Sequence, residues 1–354
     1  MKVLVLTRYG RLGSSSRYRF YQYLPHLERQ GMEFDIAPLL GDDYIPQIYS
    51  GHRVAVTDLL PRFWQRLSKL SQCRCYDLIW VEKEIFPYLP YWIERLWADS
   101  RVPYIVDYDD AAYHTYDLHS SWLVRLFLGK KIDGVMREAK VVVAGNSYIA
   151  ERAAAAGAKR VEILPTVIDL DRYAPSLQVH NSLFTIGWIG APVTTGYLRH
   201  VHGPLKEVCS EGDTAVIAVG ASKISLEGVP LKIVEWSEES EVAEMQKFDV
   251  GIMPLPNSPW EVGKCGLKLI QYMGVALPVV ASPIGVNSRI VEHGENGFLA
   301  ETADEWIRAF HVLKANKALR RRMGAIGRAK VEKEYCLQVT VPAMSRLLRE
   351  AASS

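Results

Sequence analysis

Short, fully apolar runs that end in glycine or polar turns recur along this chain, and helical spacing follows most of them. Runs this short and this apolar bury both faces, which is how the strands of a helix-covered parallel sheet read. The series opens with a strand over residues 1–7 and a turn-rich stretch over 10–16. A helix over 17–30 follows, stopped by Gly31, and then a strand over 33–38. Strand, loop, helix, strand is the opening of a doubly wound sheet. Further strands are expected over 76–81, 104–106, 141–144 and 161–164, and then over 184–189, 215–219, 231–234, 250–254 and 278–281. Helices are expected over 59–71, 86–97, 147–156 (capped by Ser147), 240–248, 265–273, 319–334 and 339–349. The polar, irregular stretch over 169–181, with Pro175, marks a boundary. The expectation is an α/β chain of two Rossmann-like, doubly wound domains facing a central cleft. They span residues 1–178 and 183–335, with a last helix over about 338–354 packing back on the first.

A length of 354 residues suits two such domains. Apolar residues at 49% exclude a disordered tail. The formal charge is +2, with 23 Lys and Arg against 21 Asp and Glu up to residue 180, and 19 against 19 beyond it. Neither half is a polycation, so no nucleic-acid partner is indicated. Five scattered cysteines make no disulfide framework, and Cys73 and Cys75 lack the second pair of a zinc site. The apolar run over 3–6 is too short for a signal peptide, and no run of 18 apolar residues occurs, so a cytoplasmic location is expected.

In parallel sheets ligands bind beyond the carboxyl ends of the strands, and unusual residues sit there. After the first strand, the loop around Gly13 offers glycine and hydroxyl groups at a helix start, with Arg17 and Arg19 for an anion; an ordinary capped turn reads the same way. After the strand over 104–106 come Asp107, Tyr108, Asp109, Asp110 and then His114. Asp109 can cap a helix, bind sugar hydroxyls, orient His114 or act as a base. Clustered carboxylates also suit a hard cation. Beyond the strand over 250–254, a proline loop carries Glu261, Gly263 and Lys264 into a helix expected to start near Lys264. That places an ammonium beside a helix N-terminus, a good seat for a diphosphate, with Lys268 one turn on. Asn287 lies in a short polar loop after the strand over 278–281, and Trp236 follows the strand over 231–234, where its ring can stack a base or pack in a core.

The string GKCGLKLIQYMGVALPVVASPIGVNSRIVEHGENGFLA over 263–300, together with Gly187-Trp188-Ile189-Gly190, resembles the donor half of the retaining GT-B glycosyltransferases of family 4, group 1. These are related to sucrose and glycogen synthases and to lipopolysaccharide mannosyl- and glucosyltransferases. The resemblance extends more weakly over the rest of the chain. It implies a nucleotide diphosphate-sugar donor, transfer to an acceptor hydroxyl with retention, and no required metal or cofactor. It assigns Lys264 to the diphosphate, assisted by Lys268. The family carries two glutamates eight residues apart, the first on the sugar and the second on the ribose. Here Gly263 and Gln271 occupy those positions, and Glu261 is placed to substitute for the first. The family's Arg and Lys after the first strand of the donor domain are absent; Gly190, Thr194 and Thr195 lie in that loop instead. The acceptor is expected against the first domain, near Gly13, Arg17, Asp109 and His114.

That implied role is cell-surface polysaccharide, lipopolysaccharide or glycolipid synthesis, with a glycan or lipid-linked acceptor. Residues 59–70 and 88–97 mix Trp, Tyr, Leu and Arg, as a helix lying on an anionic membrane would, and ordinary core packing explains them too. Two other functions remain open: a non-catalytic or degenerate nucleotide-sugar or glycan-binding protein, and a GT-B sugar-nucleotide epimerase that needs no acceptor.

Overall fold

The computed structural model describes residues 1–44, 56–98, 102–175 and 183–353. Two compact units divide the chain. One comprises Met1–Thr166, Gly263–Cys265 and Thr340–Ser354, and the other Val167–Val262 and Gly266–Val339. Residues 176–182, part of the expected linker, lie outside the described residues.

The first unit holds a six-stranded sheet of β1 (Lys2–Leu6), β2 (Glu33–Ile36), β3 (Leu78–Glu82), β4 (Tyr104–Tyr108), β5 (Val141–Ala144) and β6 (Val161–Ile163), in the order β2-β1-β3-β4-β5-β6. All its pairings are parallel. Every residue of β3, β4 and β5 is buried, as the continuous apolar runs require. The second unit holds β7 (Phe184–Ile189), β8 (Thr214–Val219), β9 (Leu231–Val234), β10 (Val250–Met253), β11 (Val279–Ala281) and β12 (Gly297–Leu299), in the order β12-β11-β10-β7-β8-β9. These pairings are parallel too. The direction of winding reverses between β1 and β3 in one sheet and between β7 and β10 in the other, which is where such sheets open a crevice for ligands.

The helices depart from the sequence reading at several ends. The helix expected over 17–30 is broken. A π-helical turn over Arg17–Tyr21 closes with Gln22 N–H donating to Arg17 O at 3.0 Å, and an α-helix then restarts over Leu24–Glu28. Pro25 has no N–H to continue the ladder, so it suits the first turn of a new helix. The helix over Ser147–Ala155 is capped by Asn146, not Ser147: its side chain accepts from Ile149 N at 3.0 Å. Helices over Trp122–Leu128, Lys131–Glu138, His202–Cys209 and Ala303–Ala315 were not expected. The C-terminal helix, Leu337–Ala352, lies with the first unit from Thr340 on. Thr340 Oγ1 meets Tyr23 OH at 2.8 Å, and Ser345 Oγ donates to Gln30 at 2.6 Å.

Buried charge ties the exit of β3 to the helices beside it. Lys131 is 2% exposed and reaches Glu84 at 2.7 Å and Glu94 at 2.9 Å. It also donates to the Phe86 carbonyl. Glu94 in turn accepts from the N–H groups of Ile85 (3.2 Å) and Phe86 (3.1 Å), and Glu84 accepts from Tyr116 OH (2.8 Å) and Arg8 (3.2 Å). Such a cluster is stable only while complete, because each remaining charge is desolvated. Lys131→Met keeps the volume, strips buried Glu94 of its cation and leaves buried Glu84 with Arg8 alone. It should cost about 3–5 kcal/mol, read as a lowered urea midpoint with an unchanged slope.

Candidate functional site

In the second unit the sequence candidates gather at the carboxyl ends of β7, β8 and β9. A Cβ on Gly190 would sit 2.3 Å from the Trp188 ring, and a Cβ on Gly220 would sit 2.2 Å from Gly190 O and 3.1 Å from Trp236 Cβ. Lys268 Nζ lies over the Trp188 ring at 5.3 Å from its centroid. Gly190, Trp236 and Lys268 therefore share one neighbourhood, held by the buried Trp188. The stretch expected as an open loop after Gly190 is instead a 3-10 helix over Pro192–Val201. Thr194 Oγ1 donates to Ala191 O (2.9 Å), and Thr195 Oγ1 accepts from Ser222 N (2.8 Å), so both hydroxyls brace the local backbone.

Lys264 does not begin a helix. The helix runs over Leu267–Gly274, and Gly266 before it has a left-handed backbone at φ +70°. A Cβ there would also meet Ile290 at 2.4 Å and lie 3.8 Å from Asn287 Oδ1. Gly266 thus turns the chain tightly beside Asn287, whose own amide donates to Ser282 O at 3.1 Å. Residues 263–265 belong to the first unit. Asn146, while capping its helix, donates to the carbonyls of Gly263 (2.9 Å) and Lys264 (3.2 Å). A Cβ on Gly263 would fall 2.3 Å from Ala111 Cβ. The absence of a side chain there serves protein packing rather than ligand approach. Glu261 is buried, and its two oxygens accept from Tyr197 OH and Ser258 Oγ.

Gln271 is buried in a relay that the sequence did not announce. Its amide donates to Tyr173 OH at 2.8 Å, and Tyr173 donates to Glu241 Oε1 at 3.0 Å. The other oxygen of Glu241 accepts from Trp236 Nε1 at 2.9 Å. One fully buried carboxylate therefore orders both Trp236 and, through a phenol, Gln271. A phenol has a single proton, and Tyr173 commits it to Glu241, so the partner at 271 must be a donor. An amide meets that demand and a carboxylate does not.

In the first unit the candidates lie at the exits of β1 and β4, but they are engaged by protein groups. Gly13 leaves no room for a Cβ, which would lie 2.3 Å from Tyr9 Cβ. Arg17 is buried, with its guanidinium 4.9 Å from the Tyr18 ring centroid, and Arg19 is paired with Asp107 at 2.7 Å. Asp109 is paired with Lys83 at 2.9 Å. Burial would raise its pKa, but the Lys83 ammonium, a hydrogen bond from Ser15 and the Arg19 charge together outweigh that and hold the carboxyl below its ordinary value. Both nitrogens of His114 have partners, Asp117 at 2.8 Å and Tyr148 OH at 3.0 Å. The charged residues Glu82, Lys83 and Glu84 were missed by sequence reasoning. Their placement at the end of a strand was the signal that would have found them. Among the described residues no group of three or more His, Cys, Asp or Glu is arranged to hold a metal ion.

Two parallel doubly wound sheets, each with its own switch point, are the GT-B fold. Residues 203–316 match the family model for Glycosyl transferases group 1. That match covers the larger part of the second unit. Solved structures establish the same fold along the whole length of the chain. Sucrose-phosphate synthase from Thermosynechococcus elongatus aligns with a TM-score of 0.74 at 16% identity, covering 100% of both chains. HepE of Anabaena in complex with UDP-glucose aligns at 0.70 and 15%, covering 100% of this chain and 99% of that one. A glycosyltransferase from Rickettsia africae aligns at 0.70 and 12%, covering 99% and 98%. No curated protein matches the chain.

The relay makes a sharp demand on residue 271. Gln271→Glu should destabilise the protein by about 1–3 kcal/mol at neutral pH, because the new carboxylate has no proton to give Tyr173. The folded-state pKa of that carboxyl would be raised, so the lost stability should return as the pH falls through it. Urea unfolding of both proteins across a pH series checks the magnitude and the sign.

Proposed function

We propose that the chain transfers a hexosyl group from a nucleotide diphosphate-sugar to an acceptor hydroxyl with retention of anomeric configuration, without a metal. The observation that carries this is the placement of Lys264. It lies three residues ahead of the eight-residue helix Leu267–Gly274, on a segment clasped by Asn146 and turned by Gly266. As the anomeric C–O bond breaks, negative charge grows on the departing phosphate. An ammonium that meets that phosphate stabilises the charge more than it stabilises the ground state. The leaving phosphate oxygen takes the proton of the acceptor hydroxyl as the new bond forms on the same face, which accounts for retention without an enzymic nucleophile.

In this reading residues 183–335 bind the donor and residues 1–178 the acceptor. Lys268 supports the diphosphate from its seat on Trp188, and Gly190, Thr194 and Thr195 shape the loop beneath it. Trp236 meets the base and Gln271 the ribose, while Asn287 and Glu261 frame the sugar side through Gly266 and Tyr197. Gly13, Arg17, Asp109 and His114 shape the acceptor side. HepE is described with UDP and UDP-glucose, so uridine is the first base to test. The acceptor is proposed to be a lipid-linked or lipopolysaccharide glycan, met by peripheral contact at the inner face of a membrane. Among the described residues no helix is long and apolar enough to cross one.

Calorimetric titration with nucleoside diphosphates and their sugars, followed by transfer assays, tests this. Lys264→Ala should lower transfer by about 10²–10³-fold, and Lys264→Arg should recover part of it. Unchanged donor affinity and turnover in Lys264→Ala would overturn the assignment, and release of an altered free donor without acceptor would make the protein an epimerase.

A further inference from the structure

The helix Trp122–Leu128 is apolar on both sides. Inward, Leu128 joins the core of the first unit and Val124 packs against it. Outward, Trp122 (63% exposed), Leu123 (48%), Leu126 (66%) and Phe127 (69%) form a ridge. Trp122 with Leu126, and Leu123 with Phe127, are helical neighbours one turn apart. Leu118 (55% exposed) precedes the ridge, and Tyr88 (54%) stands edge-on to Tyr116 at 5.5 Å, two residues before Leu118. Single exposed apolar residues are ordinary, but a contiguous set of this size marks a binding surface.

Beside the ridge lies an open cavity of about 480 Å³ lined in part by Arg125, Lys130, Arg152, Asp117 and Asp133. Its carboxylates are already engaged. Arg152 holds Asp133 at 2.7 Å and Asp117 at 3.4 Å, and His114 meets Asp117 at 2.8 Å. Arg125 donates only to the carbonyls of His119 and Ser120, and neither Arg125 nor Lys130 has a carboxylate partner among the described residues. Two unopposed cations thus edge a ridge of Trp, Leu and Phe.

We propose that this face docks on an anionic phospholipid surface, with the ridge in the headgroup–acyl boundary and Arg125 and Lys130 on lipid phosphates. Charge complementarity selects this occupant. Aromatic and aliphatic side chains flanked by cations are the pattern of an interfacial helix, and each cation near an anionic surface adds attraction. A second copy of the chain fits poorly, since two-fold pairing of the ridge would bring Arg125 and Lys130 toward their own counterparts. The inference rests on the reading that the acceptor is met at a membrane, and names the element that makes the contact.

Flotation of the full chain with phosphatidylglycerol or phosphatidylcholine vesicles tests it, with UDP affinity by calorimetry as a check on the fold of each variant. The wild type should float with phosphatidylglycerol and much less with phosphatidylcholine. Leu126→Ser combined with Phe127→Ser should weaken vesicle binding by about tenfold or more, and Lys130→Glu should weaken it most at low salt, both with UDP affinity unchanged. Undiminished binding by these variants would overturn the assignment of this face while leaving membrane contact standing. Failure of the wild type to bind either vesicle would overturn both, and equal binding to the two lipids would overturn the role of the cations. A solution dimer that Phe127→Ser converts to monomer would make the face a self-interface instead.

Discussion

Every strand in both sheets runs parallel to its neighbours, and the chemistry of the protein follows from that constraint. Parallel strands put all their carboxyl ends on one edge of the sheet, so the loops that leave them meet there. In the first sheet β3, β4 and β5 are buried throughout, so a charge placed at the exit of β3 or β4 starts out desolvated. The first unit answers by pairing: Arg19 with Asp107, Lys83 with Asp109, and Lys131 with Glu84 and Glu94. These pairs do not make the unit more stable than an apolar core of the same shape would. They make the geometry of the β3 and β4 exits specific, because each ion has one place where its partner neutralises it.

The second unit solves a different problem with the same means. A near-neutral chain has no broad positive field to draw an anionic donor, so any anion site must be built from a few groups. Lys268, in this unit, and Lys264, on the segment 263–265 that belongs to the first, are held by different devices. Lys264 rides on a segment held through its backbone by Asn146, whereas Lys268 leans on the Trp188 ring. The first device fixes the segment that carries the ammonium. The second ties the charge to the residue that also fills the space above Gly190.

The strands other than β12 were legible because an apolar run bounded by glycine has one physical reading when both faces are covered. Helix starts were less so, since they turn on single residues. Ser147 and Asn146 are both good caps, and only the bond to Ile149 decides between them. Lys264 looked helical because nothing in its spacing reveals that Gly266 takes φ +70°. The Trp122–Leu128 helix was invisible to periodicity, because a helix apolar on both faces has no contrast to detect. Candidate site residues were legible as positions after strands but not as contacts. Tyr173 lies far from Gln271 in sequence, and no local pattern joins them.

That long-range contact also explains the departure from the paired glutamates. With Glu241 buried and both its oxygens in use, a second carboxylate at 271 would face it across one phenolic proton. Two buried anions cannot share that bridge without one of them taking up a proton. Gln271 removes the conflict: its amide supplies the proton that Tyr173 needs and keeps the carbonyl oxygen as an acceptor. The negative charge a glutamate would carry is present at Glu241, on another element, where it orients the Trp236 indole. The relation between residues 263 and 271 changes as a whole, because Gly263 is closed off by Ala111 and has no space for an acid. The buried acids of this unit, Glu241 and Glu261, are each anchored by hydroxyl or indole donors from their surroundings.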